Sequence, residues 1–433
     1  MYISRLVIQG LRGFSGPRQV DLDFSRPDGS YAGWTVLAGR NGSGKTTILQ
    51  AIALGVIGQY FVRDWEGWRG APEGEQGFLR VTVVQDSEFD GGLDFGPQDF
   101  ELRWNDSDGS HLTPQWAMTS GRAKGTRRLR FAPGEGWFFA GYGPFRRLSA
   151  AALGRGESSR AAMYAGLRTL FDEDVSLVEG VSWLVEQHLY QLEGRPGAAE
   201  LLEAVLSLLA DGMLPDGHTV VRVDSDGLWV RQDDGTEMPL RRMSEGYKAV
   251  TALVLDIIRQ MHLAYGRVRV SYAGETPTLA YPGVVLVDEV ENHLHVSWQK
   301  KIGEWLTDHF PLVQFIVTTH SPYICQTAAA NGLVSLPGPH EPRAAHVVDR
   351  DLHERVVFGS GDDAILTELF GVDSPYSRRA EGVRRILGDL EEKVLEGSAS
   401  TAEIEEYRKL SKMLESSLSA RVDEVSSRLG RRD

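Results

Sequence analysis

The chain has 433 residues, 42% of them hydrophobic, enough for a large core with inserted or appended helical parts. No apolar run approaches the ~18 residues of a membrane-spanning helix, and the opening MYISRLVIQG lacks the apolar stretch and cleavage site of a secretory signal, so a cytoplasmic protein with no membrane partner is expected. The single cysteine, Cys325, excludes an internal disulfide and a Cys/His metal cluster, and a net charge of -14 leaves DNA only a local patch to bind.

Apolar and polar residues alternate around Leu6 and Ile8 and again near Val20 and Leu22, which predicts the opening strands of a sheet. Residues 34–38 form a short apolar strand that runs into Gly39-Arg40-Asn41-Gly42-Ser43-Gly44-Lys45-Thr46, and residues 46–56, with Thr47 in the first turn, read as a helix. Strand, glycine-rich loop and helix in that order is the setting of a P-loop. Backbone N–H groups must turn inward and approach phosphate oxygens closely, which a Cβ obstructs. Lys45 is placed to hold β- and γ-phosphates, the helix adds its positive dipole end, and the Thr46 hydroxyl is a candidate Mg²⁺ ligand.

Residues 80–139 show short strands between polar turns, predicting antiparallel β structure that decorates the lobe. Within them Arg122, Lys124, Arg127, Arg128 and Arg130 make a basic run, a candidate DNA contact or a solvated strand edge. Residues 161–212 switch to helical period: Val181, Leu184, Val185, His188, Leu189 and Leu192 make one stripe, and Leu201, Leu202, Val205, Leu208 and Leu209 another. His188 on such a stripe is a core histidine. A hairpin at 219–223 and 228–231, turned at Asp226-Gly227, leads to Met243-Ser244-Glu245-Gly246-Tyr247, which opens a helix with Val250, Leu253, Val254, Ile257, Ile258 and Met261 on its apolar face.

Val284-Val285-Leu286-Val287 is a continuous apolar run, as expected of a strand buried on both faces of a parallel sheet, and it ends in Asp288-Glu289. Ligands bind at the carboxyl ends of such strands. Asp288 there is placed to help hold Mg²⁺, and Glu289 to orient or deprotonate an attacking water. An amphipathic helix with Trp298, Ile302, Trp305, Leu306 and Phe310 follows, then a strand at 315–319 ending at His320. This βαβ crossover predicts His320 at the same sheet edge as Glu289, within reach of a γ-phosphate. Residues 344–348 are strand-like and end in Asp349-Arg350-Asp351, a minimal carboxylate pair or a polar strand end. Beyond Phe370 the chain is helical, with a capping-box signature at Ser400 and Glu403 before a stripe of Ile404, Tyr407, Leu410, Leu414, Leu418, Val422, Val425 and Leu429. That stripe suits a helix packed on its own lobe or one that docks a partner.

GRNGSGKT, MSEGY, VVLVDE and TTHS, in this order, resemble the ABC-type ATPases of the SMC, RecF and OLD-like group. The resemblance implies an α/β fold, an ABC-ATPase head of the P-loop NTPase kind with a mixed sheet, antiparallel β decoration, a helical insert and C-terminal helices. The expected division is 1–160 and 219–370 for the two parts of the lobe, 161–218 for the insert and 371–433 for the C-terminal helices. The resemblance also implies ATP and Mg²⁺ as ligands, and a homodimer that sandwiches ATP between one P-loop and the partner's signature, so that Ser244 and Gly246 act in trans. Met243 and Glu245 depart from the usual LSGG, and Glu245 must then point away from a γ-phosphate or the trans contact is weaker than usual. Asn292 and His295 bracket the place of the dimer-contacting D-loop, and Tyr142-Gly143-Pro144-Phe145-Arg146-Arg147 resembles an element of standalone bacterial defence ATPases. Lys45 and Ser244 are separated by roughly 200 residues without a long heptad run, which excludes a ring-forming SMC arm. The expected role is control of a separately encoded effector nuclease in an anti-phage system such as Septu or a retron-associated module. The alternatives are a RecF-like DNA-repair ATPase, an OLD-like nuclease and a structural clamp held by ATP.

Overall fold

A computed structural model describes residues 1–57, 77–90, 96–104, 115–118, 136–144, 166–172, 177 and 179–414. The basic run 122–130, Phe145, Arg146, Arg147 and the stripe residues beyond Leu414 lie outside them.

In chain order the elements are β1 (Tyr2–Gln9), β2 (Val20–Asp23), β3 (Gly33–Ala38), α1 (Lys45–Ile57), β4 (Gly77–Val84), β5 (Gln98–Trp104), β6 (Gln115–Met118), β7 (Phe138–Tyr142) and α2 (Arg168–Phe171). Then come α3 (Glu179–Leu192), α4 (Ala198–Ala210), β8 (Thr219–Asp224), β9 (Gly227–Arg231), β10 (Glu237–Pro239), α5 (Glu245–Tyr265), β11 (Ser271–Ala273) and β12 (Thr276–Thr278). The chain continues with β13 (Gly283–Val287), α6 (Val296–Gln299), α7 (Ile302–His309), β14 (Val313–Thr319), α8 (Pro322–Cys325), β15 (Leu333–Ser335), β16 (His346–Val347), α9 (Arg350–Phe358), α10 (Gly361–Ile365), α11 (Arg378–Leu395) and α12 (Thr401–Leu414). None of the described helices is long and apolar enough to cross a membrane.

A six-stranded sheet of order β16-β15-β3-β14-β13-β7 forms the centre. Its five strands from β15 to β7 run parallel, so the carboxyl ends of β3, β14, β13 and β7 share one edge. The continuous apolar runs follow from burial on both faces: Val285, Val287, Phe315 and Val317 enter one core while Val284, Leu286 and Ile316 enter the other. The second core also holds α1, apolar on every side from Ala51 to Ile57, and the inner face of an antiparallel sheet of order β2-β1-β4-β5-β6. Gly55 lets α1 lie against β4, where a Cβ would come within 2.2 Å of Val81. The first core takes the inner faces of α3, α4, α5 and α7 with the hairpin strands. This is the mixed α/β architecture expected, with antiparallel decoration and inserted and C-terminal helices.

Details differ from expectation. On α3 Leu184 is buried, but Leu189 is 44% and Leu192 71% exposed, because a periodic stripe marks a side of a helix and not how far its neighbours extend along it. The expected single helix through Trp298 and Phe310 is two, since at Lys301 the N–H bonds the carbonyl of Trp298, three residues back, at 2.9 Å. All five of its apolar residues are nonetheless buried. The hairpin gains a third strand, β10. Asp349 is the N-cap of α9, accepting from Leu352 N–H at 2.8 Å, so half of the carboxylate pair has a capping job.

By its contacts the chain forms two compact units, Met1–Gly371 and Val372–Asp433. In the second, α11 and α12 are joined through Lys393 and Glu403 at 2.6 Å, and the capping box is present, Glu403 accepting from Ser400 N–H at 2.8 Å. Ile404, Tyr407, Leu410 and Leu414 are half-buried on one side of α12.

Candidate nucleotide site

The loop between β3 and α1 is shaped by its glycines. Gly42 and Gly44 hold φ of 77° and 95°, and a Cβ on Gly44 would strike the Phe14 ring at 2.3 Å. Arg40, Asn41, Gly42 and Thr46 are exposed, Gly44 and Thr47 half-buried, and Gly39, Ser43 and Lys45 buried. The Arg40 guanidinium donates to the Gly371 carbonyl at 3.0 Å. Lys45 Nζ donates to the carbonyls of Gly39 at 2.8 Å and Arg40 at 3.2 Å. Burial pushes its pKa down to about 8, against the pull of Asp288, Glu291 and Glu289. Ser43 Oγ is buried with no hydrogen-bond partner. A buried ammonium bonded to carbonyls beside an orphaned hydroxyl suits an anion that accepts from both.

Across the edge, Asp288 follows β13 and is buried. Its Oδ2 accepts from Thr46 Oγ1 at 2.7 Å, and its Oδ1 accepts from the Thr318 hydroxyl. Thr318 Oγ1 also accepts the Glu289 N–H at 2.7 Å, and Asp288 N–H donates to the Tyr142 carbonyl at 2.8 Å. The β13 end is thereby fixed from both neighbouring strands. Glu289 sits at φ 45°, a left-handed backbone rare outside glycine, and its Oε2 accepts from Asn292 Nδ2 at 2.7 Å. His320 follows β14. Burial first and then Lys45 lower its pKa while Glu289 opposes them, which favours a neutral imidazole.

Lys45, Thr46, Asp288, Glu289 and His320 thus meet at one sheet edge, as the strand ends require. Among the described residues no group of three or more His, Cys, Asp or Glu forms a metal cage. The Thr46 hydroxyl and Asp288 carboxylate, already in contact, fit Mg²⁺, which binds through one or two protein oxygens together with phosphates and water. Thr318 and Glu291 escaped the sequence reading, and Asn292 entered it only as part of the D-loop segment, not as a partner of Glu289. Thr318 was visible only as one of two threonines before His320, and the other two depend on how the chain turns after Glu289.

Ser244 and Gly246 are not joined to this cluster by any hydrogen bond or ion pair among the described residues. Ser244 is the exposed N-cap of α5 and makes no side-chain capping bond. Gly246 lies against the D-loop segment, where a Cβ would stand 2.4 Å from the His293 carbonyl oxygen. Glu245 pairs with Lys248 on the surface of α5. At the other end of the edge, the Tyr142 hydroxyl donates to buried Asp256 of α5 at 2.9 Å, and Gly143 is packed so that a Cβ would collide with the Thr169 carbonyl at 1.9 Å.

Two family profiles match: "AAA domain" over residues 5–122, and "AAA domain, putative AbiEii toxin, Type IV TA system" over 191–326. The Septu protein PtuA of Bacillus mycoides (strain KBAB4) is 25% identical over 360 residues, 82% of this chain and 43% of that protein. The retron Vc95 probable ATPase of Vibrio cholerae serotype O1 biovar El Tor is 38% identical over 97 residues, 22% of this chain and 18% of that protein. The chain therefore spans less than half the length of these curated relatives. An SMC head bound to the C-winged helix domain of ScpA superposes with a TM-score of 0.48 at 16% identity, over 80% of this chain and 98% of that one. By its profile matches and these relatives, the chain is distantly related to AAA-domain proteins, among them the Septu protein PtuA and a retron probable ATPase.

Proposed function

We propose that the chain binds ATP with Mg²⁺ on the 39–47 loop and hydrolyses it to ADP and phosphate. The observation that carries this is the Thr46 to Asp288 hydrogen bond beside buried Lys45, which brings the loop and the β13 end to one point. Lys45 exchanges its carbonyl partners for phosphate oxygens and Ser43 gains the acceptor it lacks. The loop N–H groups and the α1 dipole add to the anion site. Thr46 and Asp288 hold Mg²⁺, which when bound neutralises charge on the phosphates. Glu289, steadied by Asn292, orients a water and takes its proton, and neutral His320 donates to the γ-phosphate.

By the ABC-type resemblance, the other wall of the site comes from a second copy, through Ser244 and the α5 N-terminus. Its serine side chain has no internal bond to break, and Lys248 offsets the charge of Glu245. The nucleotide-dependent dimer then controls a separately encoded effector, a nuclease by the same resemblance. Nucleotide titration of the full chain tests the first step: wild type binds ATP and Lys45→Ala does not. A folded wild-type protein that binds no ATP would falsify the proposal.

A further inference from the structure

Glu291 lies on the turn that carries Glu289, yet its carboxylate is spent on the neighbouring strand. Oε1 accepts the His320 backbone N–H, and Oε2 accepts the Thr319 hydroxyl at 2.9 Å. Thr319 Oγ1 accepts the Ser321 N–H at 2.9 Å, and the Ser321 hydroxyl donates to Gln299 at 2.6 Å. The backbone on both sides of the imidazole is therefore held from the segment that follows Asp288. Removing a carboxylate from water is costly, and an apolar side chain fills space more cheaply. What a carboxylate adds is two acceptors a fixed distance apart, which set the register of the β14 end against the Glu289 turn. That register decides whether Glu289 and His320 face the same phosphorus atom.

We propose that Glu291 is a positioning residue, which locks the His320 backbone to the Glu289 turn so that the two side chains act on one γ-phosphate as a unit. This rests on the role given to His320 above. ATP turnover and ATP affinity are compared in wild type, Glu291→Ala, Glu291→Gln, His320→Ala and the Glu291→Ala/His320→Ala double variant. Glu291→Ala is expected to lower kcat roughly 10- to 100-fold, as for a misplacement near 1 Å. Its ATP affinity stays within about threefold of wild type, and the double variant is no slower than His320→Ala alone. Glu291→Gln keeps an acceptor for the His320 N–H and recovers most of the loss.

Losses that multiply in the double variant, or wild-type turnover in Glu291→Ala, overturn the proposal. Amide hydrogen exchange at His320 reads the tether without turnover: exchange roughly tenfold faster in Glu291→Ala supports it, and unchanged exchange overturns it. If the alanine variant does not fold, Glu291→Leu, which keeps the volume and removes both acceptors, supplies the same readout. A wild type without turnover counts against the proposed hydrolysis, and a His320→Ala variant with wild-type turnover counts against the role given to His320; exchange then decides the tether alone.

Discussion

The carboxyl edge of the central sheet and the N-terminus of α5 carry the two halves of the motif set, and they differ in how far each is finished within one chain. At the sheet edge, Thr46, Asp288, Thr318, Glu289 and Asn292 are bonded to one another, and Lys45 is buried among carbonyls. At the α5 end, Ser244 is exposed with no side-chain bond, and Gly246 only packs against His293. Groups that act from within their own chain need their positions fixed by it, whereas a group that completes a site on another molecule must be left free. The contrast teaches that substitutions in the two regions should fail differently, the first through chemistry or stability and the second through assembly.

The sharpest break is expected from Glu289→Gln, which removes the proposed base: turnover falls about 10²- to 10⁴-fold while ATP still binds, as single-turnover and binding assays together would read. Lys45→Ala follows. Loss of a buried charge partner costs about 2–5 kcal/mol, so nucleotide affinity falls at least roughly 30-fold by calorimetry. Thr318→Val leaves buried Asp288 and the Glu289 N–H short of a partner each, and denaturant melts should show a loss of about 1–3 kcal/mol.

A smaller effect distinguishes the Lys45 environment. With its pKa down to about 8, the ammonium that ATP requires is present below that pH, so affinity is flat there. Above about pH 8 a proton must be taken up on binding, and affinity falls by up to about tenfold per pH unit. The sign for stability is opposite: between about 8 and the ordinary 10.5 the unfolded chain holds more protons, so the unliganded fold gains stability as pH rises. The smallest expected change is the thermal stability of Ser244→Ala, within about 0.5 kcal/mol because no capping bond is lost. A large loss there would erase the contrast between the regions.

The sheet edge was legible because its residues follow from runs that sequence displays directly. Val284-Val285-Leu286-Val287 has to be a doubly buried strand, and whatever follows it stands at the carboxyl edge, as does His320 after β14. What the sequence hid is set by tertiary closure. Thr318 earns its place from a side-chain bond to a strand 30 residues earlier. Asn292 and Glu291 depend on a left-handed turn at Glu289, a conformation that its residue type disfavours. Leu192 follows the apolar period and still faces solvent, since periodicity carries no knowledge of where the packing neighbours end.

The most direct test is the mass in solution of Glu289→Gln with ATP and Mg²⁺, measured by size-exclusion chromatography with light scattering. The account predicts twice the 47.9 kDa of one chain, and return to a single chain when Ser244→Arg is added although ATP still binds. A nucleotide-bound protein that stays at the mass of one chain, or a dimer indifferent to Ser244→Arg, would contradict it.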